Sequence, residues 1–321
     1  MSTWMLTGGA GYIGAHVLRA LQGAGIGVVV LDDLSSGLRD RVPAGVPLVE
    51  ASVLDTGAVG SALLEHEVYG VVHLAAKKSV EESVAQPLRY WRENVAGLES
   101  LLRAMGETGV DRIVFSSSAA VWGEPSAERV TEDTPTGPIS PYGETKLVGE
   151  WLVRDVARAT SLRWAALRYF NVAGAGAPEL GDTSVTNLVP LVLEAVAAGR
   201  SPKVFGDDYP TRDGSCVRDY IHVADLAEAH VAAAQALDAG PFGEVLNIGR
   251  GEGVTVKEVM AVAQQVLGEF SYDVVGRRPG DPPAYFADPS KAERLLGWRA
   301  TRDLEDMVRS AHEARRSRSG A

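Results

Sequence analysis

The sequence is short of cysteine, of positive charge and of long apolar runs, and each shortage excludes a class of protein. A single cysteine, Cys216, rules out an intrachain disulfide and fits a reducing compartment. The formal net charge of −11 opposes general binding to nucleic acid or to an anionic membrane, since both need a broad basic surface. No apolar segment is long enough to span a bilayer, and the N-terminus lacks the pattern of a secretory leader. We therefore expect a cytoplasmic protein that binds neither nucleic acid nor membrane, and we expect the basic end at residues 315–318 to fray.

What the sequence does contain is an alternation of short apolar runs with segments of helical spacing. Runs rich in Val, Ile and Leu occupy residues 4–7, 27–31, 70–74, 112–116 and 164–169. Such runs are typical of strands buried on both faces, and the connections between such strands are right-handed. The pattern predicts an α/β fold with a doubly wound parallel sheet of the Rossmann type, which binds ligands at the carboxyl ends of its strands.

The second half of the chain has a different texture. After Val172, glycine- and proline-rich loops surround shorter helices, which we predict at residues 187–198, 224–237 and 256–267. We therefore expect two domains. The first covers residues 1–171, and a smaller α/β lobe covers residues 172–321, with some later segments returning to the first domain and a cleft between the two.

A glycine-rich turn follows the first predicted strand. Residues 7–14 read Thr-Gly-Gly-Ala-Gly-Tyr-Ile-Gly, and a helical stretch begins directly after them. Without side chains, these glycines let the backbone approach a pyrophosphate, and the start of the helix offers free N–H groups and a favourable dipole. Asp32 ends the second strand, where a carboxylate accepts hydrogen bonds from adenosine ribose and repels the extra phosphate of NADP. The pattern predicts a bound NAD.

Three further residues predict acid–base chemistry beside this cofactor. Ser118 follows the strand at 112–116, and Tyr142 and Lys146 are four residues apart after Pro141, which suits the first turn of a helix. A free tyrosine is a poor base at neutral pH, but a nearby ammonium and a positive nicotinamide both lower its pKa. We predict Tyr142 as the base and Lys146 as its fixed charge. Ser118 is predicted to hydrogen-bond the reacting hydroxyl and to relay its proton.

With these motifs, the chain resembles the extended short-chain dehydrogenase/reductase family and, within it, the UDP-galactose 4-epimerases. The resemblance spans about residues 3–310. Besides the glycine turn, it rests on matched segments in both lobes, at residues 115–121, 140–143, 167–171, 206–211, 217–223 and 280–285. Agreement in both lobes is stronger evidence than the cofactor turn, because the turn alone occurs in many dinucleotide-binding proteins.

The resemblance implies an enzyme that interconverts UDP-galactose and UDP-glucose. Tyr142 removes the 4-hydroxyl proton of the sugar while hydride passes to NAD, which leaves a 4-keto sugar. The keto sugar turns about its pyrophosphate linkage, and hydride returns to the opposite face. The NAD of such an enzyme stays tightly bound and is recycled in a site that excludes water. The resemblance also implies a homodimer built on helices within residues 88–105 and 142–157, and no metal.

The resemblance assigns a role to individual residues. It implies that NAD is bound in the first domain by Gly8, Gly11, Tyr12, Ile13, Gly14, Asp32, Asp33, Leu34, Ser52, Val53, Leu74, Ala75, Ala76, Lys78, Asn94, Ser116, Tyr142, Lys146 and Tyr169. It implies that the UDP-sugar is bound by Ser118, Tyr142, Asn171, Asn187, Leu188, Lys203, Val204, Phe205, Arg218, Tyr220, Arg278, Asp281 and Tyr285. Among these, Arg218 and Arg278 address phosphate, for which guanidinium groups are suited, and Asp281 holds ribose. The bulk of Tyr285 beside the sugar is expected to disfavour N-acetylated substrates.

Some positions depart from the family pattern, and other functions remain as alternatives. Ser52 stands where an aspartate often meets adenine, Lys77 replaces an apolar residue and Trp122 replaces a tyrosine, and the loop at 174–183 is short. The alternatives are a 4-epimerase of a related UDP-sugar, a dehydratase or reductase, a dehydrogenase that releases NADH, and a non-catalytic NAD-binding protein. Dehydration needs an acid to expel water and a base at the adjoining carbon. The similar dehydratases place acidic side chains directly after the strand-end serine or threonine, where this chain has two alanines.

Overall fold

The computed structural model describes residues 2–278 and 280–319. The expected domains also include Met1, Pro279 and residues 320–321, which lie outside the described residues. The strands are β1 Thr3–Thr7, β2 Gly27–Leu31, β3 Leu48–Val49, β4 Val68–His73, β5 Arg112–Ser116, β6 Arg129–Val130, β7 Arg163–Tyr169, β8 Asn171–Ala173, β9 Lys203–Phe205, β10 Val217–Arg218, β11 Tyr220–His222, β12 Gly243–Ile248, β13 Val254–Thr255, β14 Asp273–Val275 and β15 Ala284–Ala287. The helices are α1 Tyr12–Gly23, α2 Thr56–Glu65, α3 Val80–Ala85, α4 Pro87–Tyr90, α5 Gly97–Thr108, α6 Pro141–Ala159, α7 Leu188–Ala197, α8 Val223–Ala239, α9 Val256–Leu267, α10 Ser290–Leu296 and α11 Leu304–Ser319. A π-helical segment, Trp91–Ala96, joins α4 to α5.

The largest element of the fold is a seven-stranded sheet in the order β12-β7-β5-β4-β1-β2-β3, with every neighbouring pair parallel. Alternate residues of β1 supply the two faces of this sheet, because side chains along a strand point to opposite sides. Trp4 and Leu6 belong to the core on one face, where α1 packs against α8. Met5 belongs to the core on the other face, where α2 packs against α5. The predicted doubly wound α/β fold is confirmed.

The edge strand β12 comes from the second half of the chain. It pairs in parallel with β7, and α8, which precedes it, packs against α1 of the first half. The chain therefore returns to the large sheet after it has begun the smaller lobe. The residues that directly follow β1, β2 and β4 line one cleft, so the loops after these strands lie at the same edge of the sheet.

The smaller lobe contains a four-stranded sheet in the order β13-β10-β15-β6 and two pairs of strands, β11 with β8 and β14 with β9. Its core joins α7, α9 and α11 through buried residues such as Val192, Met260 and Met307. The prediction that residues 315–318 fray is wrong, because α11 continues to Ser319. Arg315 bonds to Glu194 at 2.9 Å, and the helix is held against the body by this pair and by buried apolar residues. Within the described residues, no helix combines the length and apolarity that a membrane span requires.

Candidate active site

The glycine turn between β1 and α1 leaves no room for side chains. Gly8 has φ +72°, and a Cβ there would lie 2.8 Å from the backbone nitrogen of Ala75. A Cβ on Gly14 would lie 2.1 Å from the carbonyl oxygen of Gly8. Helix α1 begins after Gly11, which carries no capping side chain. An anion can therefore approach the start of the helix closely, and the N–H groups there provide the donors.

Asp32 is fixed at the end of β2 by the backbone around it. One carboxylate oxygen accepts the N–H of Ala10 at 2.9 Å, and the other accepts the N–H of Leu34 at 2.9 Å. Burial raises the pKa of Asp32, while these two hydrogen bonds act in the opposite direction. Leu34 itself has a positive φ of 55°, so the chain bends sharply after the carboxylate. The turn and the acid thus form one rigid unit.

These elements surround one open cleft. The predicted cofactor residues that line it are Gly8, Gly11, Tyr12, Ile13, Gly14, Asp32, Asp33, Ser52, Val53, Leu74, Ala75, Ala76, Lys78, Tyr142, Lys146 and Tyr169. Glycine, carboxylate and lysine groups face this cleft together. The residues present therefore fit a dinucleotide: the turn is a cradle that a Cβ would fill, and it opens onto the start of a helix.

Three predicted cofactor residues do not line the cleft but support residues that do. Leu34 fixes Asp32. Asn94, in the π-helical segment, accepts the N–H of Lys77 at 2.8 Å and donates to its carbonyl at 3.0 Å, and thus braces the loop after β4. The carbonyl of Ser116 accepts a hydrogen bond from Lys146 Nζ at 2.8 Å, and its hydroxyl lies 3.1 Å from His230.

Sequence reasoning missed other residues that line the same cleft. They are Ser35, Ser36, Gly37, Arg41, Ala51, Lys77, Glu93, Asp182, Thr183 and Ser184, besides Leu31. Residues 35–37 follow directly after a strand that ends at the cleft, and this position is a signal that the sequence does carry. Residues 182–184 reach the cleft from a distant part of the chain, and no local pattern marks them.

The predicted catalytic residues come together at one side of this cleft. Ser118 follows β5, and Tyr142 is the second residue of α6, which begins at Pro141 and is capped by the Ser140 hydroxyl. Ser118, Tyr142 and Lys146 are all buried. Lys146 Nζ lies 6.0 Å from the centre of the Tyr142 ring. The spacing of four residues thus places both side chains on one face of α6, as predicted.

Within the protein itself, burial has the largest effect on the pKa values of Tyr142 and Lys146. It raises the pKa of Tyr142, and a hydrogen bond with Ser118 opposes this rise. It lowers the pKa of Lys146 to about 8, and the negative charge of Glu150 opposes that fall. At neutral pH Tyr142 is therefore a phenol and Lys146 is mostly an ammonium. Lys146 does not ionise Tyr142 by itself, so the second positive charge of the prediction, that of nicotinamide, has to contribute.

A buried ion pair behind α6 holds this helix in place. Arg168 of β7 donates to both oxygens of Glu150, with the shorter of the two contacts at 2.7 Å. Ser117, next to Ser118, donates to the same carboxylate. Because Glu150 lies one turn after Lys146, the network fixes α6 against β5 and β7. Removal of one partner from such a pair leaves an uncompensated buried charge.

On the side of the smaller lobe, Arg218, Asp281 and Tyr285 lie together. Arg218 and Tyr285 are register partners in β10 and β15, and the guanidinium carbon lies 5.1 Å from the ring centre. Arg218 Nη2 is 3.4 Å from a carboxylate oxygen of Asp281. The Tyr285 ring also packs against Phe170, with 5.8 Å between centres, and Tyr285 contributes to the raised pKa of Tyr142. The smaller lobe thus reaches Tyr142.

The remaining predicted substrate residues are spread over three parts of the smaller lobe. Arg278 lies over the ring of Phe205 at 3.8 Å, beside the exposed Lys203. The side chain of Val204 is fully buried in the core of the lobe, so it does not face the cleft. The amides of Asn171 and Asn187 donate to the Asp219 carbonyl at 3.1 Å and to the Asp182 carboxylate at 3.5 Å. Leu188 is the first residue of α7, and Tyr220 is buried in β11.

Comparison with known proteins identifies the family. Residues 4–249 match the NAD dependent epimerase/dehydratase family. UDP-glucose 4-epimerases of Azospirillum brasilense and Bacillus subtilis are 45% and 44% identical to this chain, over 98% and 94% of it and over 92% and 94% of their own lengths. The crystal structure of UDP-glucose-4-epimerase from Stenotrophomonas maltophila, with bound NAD and formylated UDP-arabinopyranose, superposes with a TM-score of 0.97 at 41% identity, over 100% of this chain and 99% of that one.

A second solved structure is similar over an equally long stretch. The UDP-Glc/GlcNAc 4-epimerase of Campylobacter jejuni superposes with a TM-score of 0.88 at 36% identity, over 99% of this chain and 100% of that one. Similarity over the whole length, in both lobes, confirms the resemblance and the NAD cofactor inferred from the sequence. The chain belongs to the NAD dependent epimerase/dehydratase family.

Proposed function

We propose that the chain interconverts UDP-glucose and UDP-galactose by inverting C4 of the sugar, with NAD retained through many turnovers. One observation carries the proposal: Tyr142 and Lys146 line the same cleft as the glycine turn, and Tyr285 of the smaller lobe lies close enough to influence the pKa of Tyr142. Cofactor, base and sugar pocket are thus contiguous. The relatives named UDP-glucose 4-epimerase support the same assignment.

The chain supplies the proton chemistry of this reaction. NAD, when bound, would supply the group that accepts a hydride from C4 and donates it back. Tyr142 takes the proton of the 4-hydroxyl group as hydride leaves and gives it back when hydride returns. Ser118, which shares a hydrogen bond with Tyr142, orients the sugar hydroxyl and relays this proton. Lys146 keeps a positive charge beside the phenol and offers N–H donors to the nicotinamide ribose.

The smaller lobe holds the nucleotide and selects the sugar. Arg218 and Arg278 bind phosphate, because guanidinium groups form strong charge-assisted hydrogen bonds with phosphate oxygens. When the nucleotide binds, Asp281 exchanges its contact with Arg218 for a contact with the ribose. Tyr285, held between Arg218 and Phe170, fills the space that an N-acetyl group needs. We therefore propose a preference for UDP-glucose and UDP-galactose over their N-acetylated forms.

A product assay tests the proposal and separates it from the alternatives. The purified protein is incubated with UDP-galactose and no added NAD, and the sugar nucleotides are resolved. Formation of UDP-glucose supports an epimerase that recycles its cofactor. A dehydrogenase would accumulate NADH only when NAD is added, and a non-catalytic protein would leave UDP-galactose unchanged. A dehydratase is disfavoured because Ala119 and Ala120 occupy the positions after Ser118.

Three broader assignments accompany this function. Residues 1–171 bind NAD and residues 172–321 bind the UDP-sugar, with the segment of α8 and β12 belonging to the first domain.

The protein acts in the cytoplasm as a homodimer through helices within residues 88–105 and 142–157. Exposed apolar side chains support the dimer, since Leu88 is 83% exposed and Trp151 is 45% exposed. Sedimentation analysis of the wild type and of Leu88→Glu with Trp151→Glu tests the interface: a wild-type monomer contradicts it.

A further inference from the structure

One loop, residues 174–187 between β8 and α7, borders both halves of the site. Asp182 and Thr183 line the NAD cleft, and the loop ends at Asn187, a proposed substrate contact. The Asp182 carboxylate accepts hydrogen bonds from the Ser184 backbone at 2.9 Å and hydroxyl at 2.7 Å, and it lies 3.5 Å from the Asn187 amide. A displacement of this loop therefore changes the cofactor wall and the substrate contact together.

Arg41, which follows β2, holds the loop from the side of the NAD-binding lobe. Its side chain is only 4% exposed, and Nη2 donates to the Gly181 carbonyl at 2.7 Å and contacts the Thr183 hydroxyl at 3.5 Å. Within the described chain, Nε of Arg41 is buried without a partner. Burial of a guanidinium group is unfavourable unless opposite charge and hydrogen bonds compensate. The nearby Asp182 provides that charge.

Arg318 of α11 holds the same segment from the other end of the chain. Nη1 donates to the Gly181 carbonyl at 3.2 Å, and Nη2 donates to the Asp182 carbonyl at 3.0 Å. Helix α11 also approaches the loop closely, since a Cβ on Gly181 would lie 2.8 Å from the Cβ of Ala314. Two arginines more than 270 positions apart in the sequence thus meet at one carbonyl group.

Helix α1 fixes the beginning of the same loop. The Tyr12 hydroxyl donates to the Gly174 carbonyl at 2.5 Å. The ring of His16 lies 2.8 Å from the Tyr12 carbonyl through Nδ1, and Nε2 accepts the N–H of Gly176 at 2.8 Å. Because α1 also forms the anion-binding end of the glycine turn, the loop is attached to the element that holds the pyrophosphate. Its middle, at residues 181–183, is attached by the two arginines.

We propose that Arg41 and Arg318 clamp residues 181–183 over the NAD cleft and thereby slow the release of the cofactor. Arg318 is a positioning residue that acts through the loop, whereas Arg41 holds the loop and also lines the cleft itself. The proposal rests on NAD binding, which family membership establishes, and it does not require the sugar specificity proposed above. An enzyme that recycles its cofactor needs such a clamp, because a wall that opens between turnovers allows NAD to leave.

The test compares Arg41→Leu and Arg318→Leu with two matched controls. Arg39→Leu changes an exposed arginine of the same turn, which pairs with Glu50, and Arg309→Leu changes an exposed arginine of α11, which pairs with Glu305. Each purified protein is passed through gel filtration, and the retained NAD is released with acid and quantified. Hydrogen–deuterium exchange of residues 174–187 is measured on the same samples, and Arg41→Lys serves as the conservative variant.

The clamp predicts a rise in the NAD dissociation rate of about 10-fold or more for Arg41→Leu, because this variant loses the charged hydrogen bond to the Gly181 carbonyl. Arg318→Leu gives a smaller rise, Arg41→Lys recovers part of the retention, and exchange in residues 174–187 increases in both leucine variants. Both controls retain NAD as the wild type does. Equal loss of NAD in the controls, or unchanged retention or exchange in Arg318→Leu, overturns the proposal even if Arg41→Leu fails to fold. A wild type that retains NAD but leaves UDP-galactose unchanged would refute the proposed function and leave the clamp standing.

Discussion

The two sides of the cleft prepare for a charged ligand in different ways. On the cofactor side, backbone groups around Gly8 and Gly14 and the start of α1 are directed at the ligand, and no side chain neutralises them. On the nucleotide-sugar side, Arg218 already pairs with Asp281, and Arg278 lies over the ring of Phe205. The cofactor side is therefore preorganised, whereas the sugar side has to exchange protein partners for phosphate on binding.

This difference matches the roles that we propose for the two ligands. A cofactor that stays bound benefits from a rigid cradle, which loses little entropy on binding. A substrate that enters and leaves in each turnover benefits from arginines whose charge is balanced when the site is empty. The contrast predicts that changes on the cofactor side abolish function, and that changes on the sugar side shift KM and specificity.

The largest effect is expected from Gly14→Ala. Its methyl group would lie 2.1 Å from the Gly8 carbonyl oxygen, so the turn has to open and the anion site is lost. We expect no NAD to copurify and no conversion of UDP-galactose. Gly60→Ala is the matched control, because nothing lies within 4 Å of its Cβ position in α2. That control is expected to raise the free energy of unfolding by about 0.5–1 kcal/mol. Normal NAD content in Gly14→Ala would contradict the cradle.

A smaller effect is expected from Arg218→Leu on the sugar side. Loss of one charge-assisted hydrogen-bonding group, worth about 1.5–3 kcal/mol, raises KM for UDP-galactose by about 10- to 100-fold. Bound NAD should remain at the wild-type level. Arg212→Leu, in the same lobe and paired with Glu258 at the surface, serves as the control with unchanged KM. Loss of NAD from Arg218→Leu would erase the distinction between the two sides.

Substitution of Tyr285 sharpens the comparison further, because it changes the volume of the sugar pocket. Tyr285→Ala removes the ring that packs against Phe170 and creates space beside the sugar. The ratio of kcat/KM for UDP-N-acetylglucosamine to that for UDP-glucose is expected to rise by about 10-fold, a typical effect of reshaping a pocket. If the wild type turns over both substrates at comparable rates, Tyr285 does not select against the N-acetyl group.

The smallest effect at neutral pH, which grows on acidification, comes from buried histidines. Burial lowers the pKa of His16, His222 and His230 to about 4 and that of His73 to about 3. These folded-state pKa values are below the unfolded value of about 6.5. The contribution of the neutral rings to the free energy of unfolding is therefore complete above that pH and is lost as the pH falls toward about 4. Asp219 acts in the opposite direction, since its pKa is raised to about 6.

Thermal unfolding between pH 7.5 and 4.5 measures this loss. The Tm should fall on acidification, and NAD retention should fall with it, because His16 and His222 lie against residues 174–176. His16→Asn keeps a donor near the Tyr12 carbonyl but removes the titrating ring, so its Tm should depend less on pH. A Tm that stays constant down to pH 4.5 would show that these rings are not buried as neutral groups.

The sequence predicted the cofactor side well because its signals are local. Residues 7–14 form one continuous turn, and Asp32 ends the next strand, so strand order and motif together place them at one edge of the sheet. The proximity of Tyr142 and Lys146 was predictable for the same reason, since the two residues share a helix. The exact supporting roles of Asn94 and Ser116 were not, because buried polar partners decide whether a side chain faces the cleft or holds another residue.

The part that escaped prediction depends on contacts between distant segments. Arg41 meets Gly181 across 140 positions, and no periodicity or motif records such a pairing. The basic end of the chain was predicted to fray for a related reason. Its charges suggested a solvated tail, whereas Arg318 finds carbonyl acceptors on a loop that the sequence does not place nearby.

The central claim is that Tyr142 moves the proton of the sugar's 4-hydroxyl group beside bound NAD. It is tested most directly by Tyr142→Phe, incubated with UDP-galactose without added cofactor and compared with the wild type. We expect this variant to have normal NAD content and a fall in kcat for UDP-glucose formation of about 10²- to 10⁴-fold, which is typical of losing a general acid–base group. Conversion at the wild-type rate by the phenylalanine variant would contradict it.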